Sequence, residues 1–298
     1  MEKQLNTEKV RQLVKEALKE DIGNIDLTTT YTVPPGLDVE ADIIVKDDGV
    51  IAGLSLVEIL YNTLDANIRF KPLAKDGDDV HSGKTIAYVA GSAKSILTGE
   101  RVALNFLCRL SGIATLTRKF VKKVEGYNVK IKDTRKTTPL LRDLEKYAVR
   151  AGGGYNHRMG LNDQVLIKDN HLRCEKIAMV KNKVKGKSEI GLAIHNVKKS
   201  AQENTVIEVE VENLAQLKEA LKSGPDIILL DNMTPNDVAQ AVKVRDLSDS
   251  KKRIALEVSG GVNLENVKEY AAAGVEMISI GALTHSAPAL NISLEVVK

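Results

Sequence analysis

The sequence predicts an α/β protein in which a small α+β unit precedes a β/α barrel. Three observations carry this. From Tyr127 onward, short apolar runs alternate with helical stretches over six or seven units, the pattern of parallel strands buried on both faces. The earlier part of the chain mixes helix and strand patterns without that alternation. One long amphipathic stretch, 99–125, lies between the two parts and is read as the helix that joins them. Such a run of units suits a barrel, complete or open. A doubly wound sheet is the competing arrangement, but the Gly-x-Gly-x-x-Gly turn expected after its first strand is missing.

The elements follow in order. Thr7 caps a first helix whose apolar stripe is Val10, Leu13, Val14, Ala17 and Leu18. A polar loop covers 20–29. Val39, Ala41, Ile43 and Val45 alternate as in a half-buried strand. A helix is expected over 53–63, and strands over 67–71 and 85–89. Gly77-Asp-Asp-Val-His-Ser-Gly83 is a structural turn; it resembles the turn of lipoyl and biotinyl carriers but lacks their lysine-bearing hairpin. The later strands are expected at 129–132, 165–168, 206–211, 227–230, 254–258 and 277–280. Helices fall at 139–150, 190–202, 214–223, 235–244 and 264–273. Thr138 and Pro139 mark one helix start, and Asn263 and Gly274 bound the last helix.

Charge is unevenly distributed. Residues 130–173 hold ten Lys and Arg against five Asp and Glu, a local +5 on a chain of net +3. A local positive field on a near-neutral protein points to a small anion. Nucleic-acid binding is disfavoured, because aromatics are 3% and Trp is absent. No apolar run approaches a membrane span, and residues 1–6 lack the apolar core of a secretory signal, so a cytoplasmic location is expected. Cys108 and Cys174 are expected to be buried, inert thiols, with no spacing for a zinc site.

Catalytic groups in such folds lie at the carboxyl ends of the strands. Those positions offer Asp133, Thr134, Arg135 and Lys136, then Lys168 to His171, Glu208 to Glu212, Asp231 and Asn232, Ser259-Gly260-Gly261, and Gly281 to Thr284. Arg135 and Lys136 alone would be a solvated turn. Sharing a rim with His157, Arg158 and Lys168, they suit an anion, and Arg grips carboxylate or phosphate in bidentate fashion. Gly152-Gly-Gly154 exceeds what a helix stop needs, so close approach of backbone to a ligand or a sharply bent loop is expected. The loops at 259–261 and 280–282 sit in consecutive late units, where barrels often bind phosphate through backbone N–H groups. Glu208, Glu210 and Glu212 share one strand face. Turned inward, these carboxylates need sugar hydroxyls, a hydrated Mg2+, or internal pairing to Lys136 and Lys168. The set as a whole reads as a phosphorylated sugar beside a carboxylate-bearing ligand.

These motifs carry a family resemblance. Gly99-Glu-Arg-Val-Ala-Leu-Asn105, Asp133-Thr-Arg-Lys-Thr137, Gly152-Gly-Gly-Tyr-Asn-His-Arg158, Leu166-Ile-Lys-Asp-Asn-His171, Glu208-Val-Glu-Val211, Leu230-Asp-Asn232, Ser259-Gly-Gly261 and Gly281-Ala-Leu-Thr-His285 occur in this order along nearly the whole chain. The chain resembles the quinolinate phosphoribosyltransferases. The resemblance implies an open, incomplete β/α barrel (113–288) preceded by an N-terminal α/β sandwich domain (1–112), which a C-terminal strand (289–298) rejoins. It implies conversion of quinolinate and 5-phosphoribosyl 1-pyrophosphate to nicotinate mononucleotide, pyrophosphate and CO2, with Mg2+, in NAD biosynthesis. It also implies a homodimer or an assembly of dimers. By position, Arg135, His157, Arg158 and the neighbour's Arg101 bind the diacid, with Thr134 alongside. Lys136 and Lys168 bridge the diacid and pyrophosphate. Glu210 and Asp231 hold the ribose and the metal. Ser259, Gly260, Gly261, Ile280, Gly281 and Ala282 hold the 5-phosphate. The rival expectations are a same-fold phosphoribosyltransferase or phosphorylase with another acceptor, a barrel aldolase forming a Schiff base on Lys168, and a non-catalytic anion binder.

Overall fold

The computed structural model describes residues 7–182, 186, 188–248 and 253–298; the hexapeptide read for a secretory signal lies outside them. The strands are β1 (Asp38–Val45), β2 (Gly49–Val50), β3 (Arg69–Pro72), β4 (Asp79–Val80), β5 (Thr85–Ser92) and β6 (Lys130–Lys132). They continue as β7 (Val165–Ile167), β8 (Ile207–Val211), β9 (Ile227–Asp231), β10 (Ala255–Ser259), β11 (Met277–Ser279) and β12 (Ile292–Val296). The chain divides into two compact units. One comprises 1–118, 137–154 and 283–298; the other comprises 119–136 and 155–282.

The first unit is built on an antiparallel sheet in the order β12-β1-β5-β3. Alternation in β1 buries Ala41, Ile43 and Val45 completely, and the C-terminal β12 pairs with β1 from Ala41↔Val296 to Val45↔Ile292. The helix Leu54–Leu64 buries Leu56, Val57 and Leu60, each contributing about 1.5–3 kcal/mol of apolar burial. Several local expectations change here. The 20–29 segment is not all loop, because Asp26 caps a short helix, Leu27–Thr32. Within the 77–83 turn, β4 pairs with β2. The long helix begins earlier than predicted, at Ala93, and ends at Lys123.

Thr138 and Pro139 do not start a helix; it runs Arg142–Ala151. Thr138 instead donates its N–H and hydroxyl to the fully buried Glu145, at 3.1 and 2.8 Å, and Arg109 pairs with the same carboxylate at 2.9 Å. A buried acid with three donors outcompetes a cap. Two of the three glycines also have a different cause. A Cβ on Gly152 would lie 2.4 Å from the Ala114 carbonyl oxygen, and one on Gly154 would lie 2.7 Å from Thr117. Helix packing demands Gly152 and Gly154, and Gly153, at φ 89°, makes the sharp bend between them.

The second unit is a six-stranded, wholly parallel sheet in the order β6-β11-β10-β9-β8-β7. β6 and β7 are consecutive in the chain yet occupy opposite edges, so the barrel is open between them. The apolar strand runs fill its core: Val209, Val211, Ile228, Leu230, Leu256, Val258 and Ile278 are fully buried. Two helical differences concern this unit. A helix over Asp169–Lys181 follows β7, where the sequence shows no clear apolar stripe; Leu172 is its buried residue. The last predicted helix is shortened to Val267–Ala272, with Asn263 accepting from the amides of Glu265 and Asn266 in the turn before it.

Candidate active site

The carboxyl ends of the six parallel strands surround a cavity of about 550 Å3, within the range of small-molecule sites. Twelve of the residues singled out from the sequence line it: Thr134, Arg135, Lys136, His157, Arg158, Lys168, Glu210, Asp231, Asn232, Ser259, Gly260 and Gly261. Leu166, Leu229 and Ser279 complete the wall.

The cationic end is held by a buried frame. Past the edge strand β6, the segment from Tyr155 continues the ladder: Tyr155 donates to the Ile131 carbonyl at 2.8 Å, and Asp133 donates to the Tyr155 carbonyl at 3.1 Å. Asp133, fully buried, accepts from the His157 amide at 2.8 Å and from the Asn156 side chain at 2.5 Å. Asp133 is thus a structural anchor. The His157 ring accepts the Arg158 amide proton at Nδ1 (2.7 Å) and lies 3.1 Å from Glu208 through Nε2. Arg158 donates from Nη1 to the Gln164 carbonyl at 2.9 Å. The Nε atoms of Arg135 and Arg158 are buried without a hydrogen-bond partner. Burial, and next the neighbouring Arg135 charge, push Arg158 below its ordinary value. Two repelling guanidinium groups with unused donors form a site that favours an anion.

The acidic end is different. Glu210 is raised by burial, the Lys168 charge opposing and Asp231 adding to the rise. Lys168 Nζ lies 3.2 Å from Glu210 Oε2; an ammonium in an ion pair is a poor nucleophile, which weighs against a Schiff-base lysine. Asn232, at φ 54°, donates to Asp231 Oδ2 at 2.8 Å. It also packs over the glycine loop: a Cβ on Gly260 (φ 92°) would meet Asn232 Oδ1 at 2.2 Å. Gly260 is required for that close approach.

Some expected residues lie elsewhere. Ile280 is buried and donates its amide to the Lys132 carbonyl at 2.9 Å, Ala282 opens a short helix to His285, and neither they nor Gly281 belong to the cavity wall. Arg101 is an exposed residue of the first unit, 3.9 Å from Glu100. Cys174 is exposed rather than buried, Cys108 is half-buried, and both are free.

Sequence reasoning missed Lys132 and Glu257. Their ion pair, at 2.6 Å, is buried inside the sheet, with Ser279 donating to Glu257 Oε1. A lone charge in the middle of an apolar strand is the signal that could have found Glu257; Lys132, at the end of Lys-Ile-Lys, carries no such signal. His157, Glu208 and Glu257 present ligand atoms within 4.8 Å of one another, but Lys132 already supplies a cation to Glu257 there. Glu210 and Asp231, on the cavity wall and partly exposed, are the better match to an oxygen-seeking, water-retaining Mg2+.

An open parallel barrel with a cationic and an acidic end to one cavity defines a small-molecule site at the strands' carboxyl ends, its cationic end suited to an anion. Comparison with known proteins sharpens that class. Residues 26–111 match the family described as quinolinate phosphoribosyl transferase, N-terminal domain, and residues 113–295 match its C-terminal domain. The chain is 41% identical over 293 residues to a probable nicotinate-nucleotide pyrophosphorylase [carboxylating] of Bacillus subtilis, covering 98% of this chain and 95% of that one. It is 41% identical to the Mycobacterium leprae nicotinate-nucleotide pyrophosphorylase [carboxylating], covering 96% of each. Among solved structures, the nicotinate-nucleotide pyrophosphorylase of Francisella tularensis superposes with a TM-score of 0.87 at 37% identity, over 99% of this chain and 98% of that one. The chain belongs to the quinolinate phosphoribosyltransferase family.

Proposed function

We propose that the protein transfers a phosphoribosyl group to quinolinate with loss of CO2, giving nicotinate mononucleotide and pyrophosphate for NAD synthesis. One observation carries the reading: a cavity whose one end holds two guanidinium groups with unpartnered Nε atoms, and whose other end holds Glu210 and Asp231 beside a glycine loop. The active site belongs to the 113–288 barrel, and 1–112 with 289–298 forms the sandwich domain. Among the described residues no helix is long and apolar enough to cross a membrane. The two free cysteines suit a reducing cytoplasm.

Arg135, His157 and Arg158 hold the diacid, with Arg101 supplied by the partner of a homodimer. Thr134, Lys136 and Lys168 border the diacid and the pyrophosphate. Ser259, Gly260 and Gly261 receive the 5-phosphate, together with Ile280, Gly281 and Ala282 of the next loop. Cleavage of the bond from ribose C1 to pyrophosphate leaves positive charge on the sugar, which Glu210 and Asp231 stabilise. When bound at those carboxylates, Mg2+ supplies positive charge to the departing pyrophosphate. Lys136 and Lys168 neutralise the same leaving group. The pyridine nitrogen attacks C1 and becomes quaternary. The ring then accepts the electron pair released as the adjacent carboxylate departs as CO2, and that ring carbon takes up a proton. No organic cofactor is needed.

The test is an assay of the purified protein with 5-phosphoribosyl 1-pyrophosphate and Mg2+, offering quinolinate or nicotinate as acceptor. Equal amounts of CO2 and nicotinate mononucleotide from quinolinate, and none from nicotinate, support the reading. Transfer to nicotinate, or a borohydride-trapped adduct on Lys168, overturns it.

A further inference from the structure

The fully buried Glu208 has no role in the chemistry just described. It sits on β8, one inward position before Glu210. Among the described residues its polar contacts are two, and both fall on Oε2. Gln164 Nε2 donates to it at 2.6 Å, and His157 Nε2 lies 3.1 Å away. Oε1 is buried with no hydrogen-bond partner.

Each contact leads to Arg158. The Gln164 backbone carbonyl accepts Arg158 Nη1–H at 2.9 Å. The His157 ring accepts the Arg158 amide proton at Nδ1. That second bond also fixes the tautomer. A ring nitrogen that accepts a proton bond carries no proton itself, so the proton is on Nε2, facing Glu208. A second buried carboxylate, Glu257, stands 3.5 Å from the same Nε2, but Lys132 and Ser279 already engage it. A carboxylate kept for packing alone would leave Oε1 an uncompensated cost, where an apolar side chain has none.

We infer that Glu208 is a positioning residue for the diacid end of the cavity: through one oxygen it sets the His157 ring and, by way of Gln164, the Arg158 guanidinium. The inference rests on the quinolinate reading of that end. Glu208 itself touches neither reactant. Its hydrogen bonds run only toward the cationic end, while Lys168 and Asn232 hold the side chains of the acidic end.

The experiment uses the full-length protein and compares Glu208→Ala, Glu208→Gln and Gln164→Ala. The readouts are KM for each substrate, and the 15N shifts of the His157 ring. Glu208→Ala is expected to raise the quinolinate KM by about tenfold or more, the loss of roughly one net hydrogen bond to a charged group. The KM for 5-phosphoribosyl 1-pyrophosphate is expected to stay within about twofold, since its contacts do not run through Glu208. Glu208→Gln keeps an acceptor oxygen in place and is expected to restore most of the affinity and the Nε2–H tautomer signature. If Glu208→Ala does not fold, Gln164→Ala decides: it cuts one tether at a partly exposed position and is expected to raise the quinolinate KM selectively. Equal rises in both KM values, an unchanged quinolinate KM in folded Glu208→Ala or Gln164→Ala, or a His157 proton on Nδ1 would overturn the inference. Wild-type protein that makes no nicotinate mononucleotide would instead defeat the functional reading, so the two failures are distinguishable.

Discussion

Removing Arg135 separates affinity from stability. Its guanidinium lines the cavity, its Nε has no partner, and its charge presses on Arg158. In the free protein it is therefore a source of repulsion, and Arg135→Ala is expected to leave Tm unchanged or slightly raised. With the diacid bound, the same group makes charge-assisted hydrogen bonds to a carboxylate. After a discount for the open side of the cavity, these contribute about 2–4 kcal/mol, so Kd for quinolinate is expected to rise roughly 30- to 1,000-fold. Calorimetric titration with quinolinate, with 5-phosphoribosyl 1-pyrophosphate in a parallel cell, measures both effects. The second ligand is expected to bind within about threefold of wild type, because its contacts are independent of the lost group. A variant that loses several degrees of Tm yet binds quinolinate normally would refute the reasoning, since it would make Arg135 a structural ion-pair partner.

Three further outcomes follow from particular contacts. Burial pushes Glu208 up to about 7 from its ordinary 4.5, against the pull of Lys132, Arg158 and Lys168. Between those values the folded state binds more protons than the unfolded one, so this group's contribution to stability falls as pH rises; scanning calorimetry across that window is expected to show a flatter Tm profile for Glu208→Gln. In Gly260→Ala the new methyl would collide with Asn232 Oδ1 at a left-handed backbone position, and a loss of about 1–3 kcal/mol in thermal unfolding is expected, with a raised KM for 5-phosphoribosyl 1-pyrophosphate. Arg101→Ala and Arg135→Ala proteins, each inactive, are expected to regain activity when mixed and reassembled, because one complete site then forms per dimer; no recovery would count against a shared site.

The parallel barrel was legible because its strands are short apolar runs between helical periods, and such runs can be buried only in a sheet covered on both faces. The cavity residues were legible for a related reason: position at a strand's carboxyl end places a side chain at the ligand side whatever the order of the strands. Pairings across the sheet were not legible. Lys132 and Glu257 are 125 residues apart, and only the order β6-β11-β10 brings them together. Glu208 was seen as inward-facing, but its partners proved to be His157 and Gln164, which the sequence places in a loop with no periodic signal. The glycine run was half legible: Gly153 makes the expected bend, at φ 89°, but the cause of Gly152 and Gly154 was hidden. Local sequence shows that a side chain is forbidden but not what forbids it, and here the obstruction is the Ala114 carbonyl on a packed helix.

The most direct measurement of the two-ended cavity is a crystal structure with quinolinate and a non-reactive analogue of 5-phosphoribosyl 1-pyrophosphate. The account predicts both in one cavity, the diacid against Arg135 and Arg158, the ribose against Glu210 and Asp231, and the pyridine nitrogen facing C1. Diacid bound at the carboxylate end, or the two molecules in separate cavities, would contradict it.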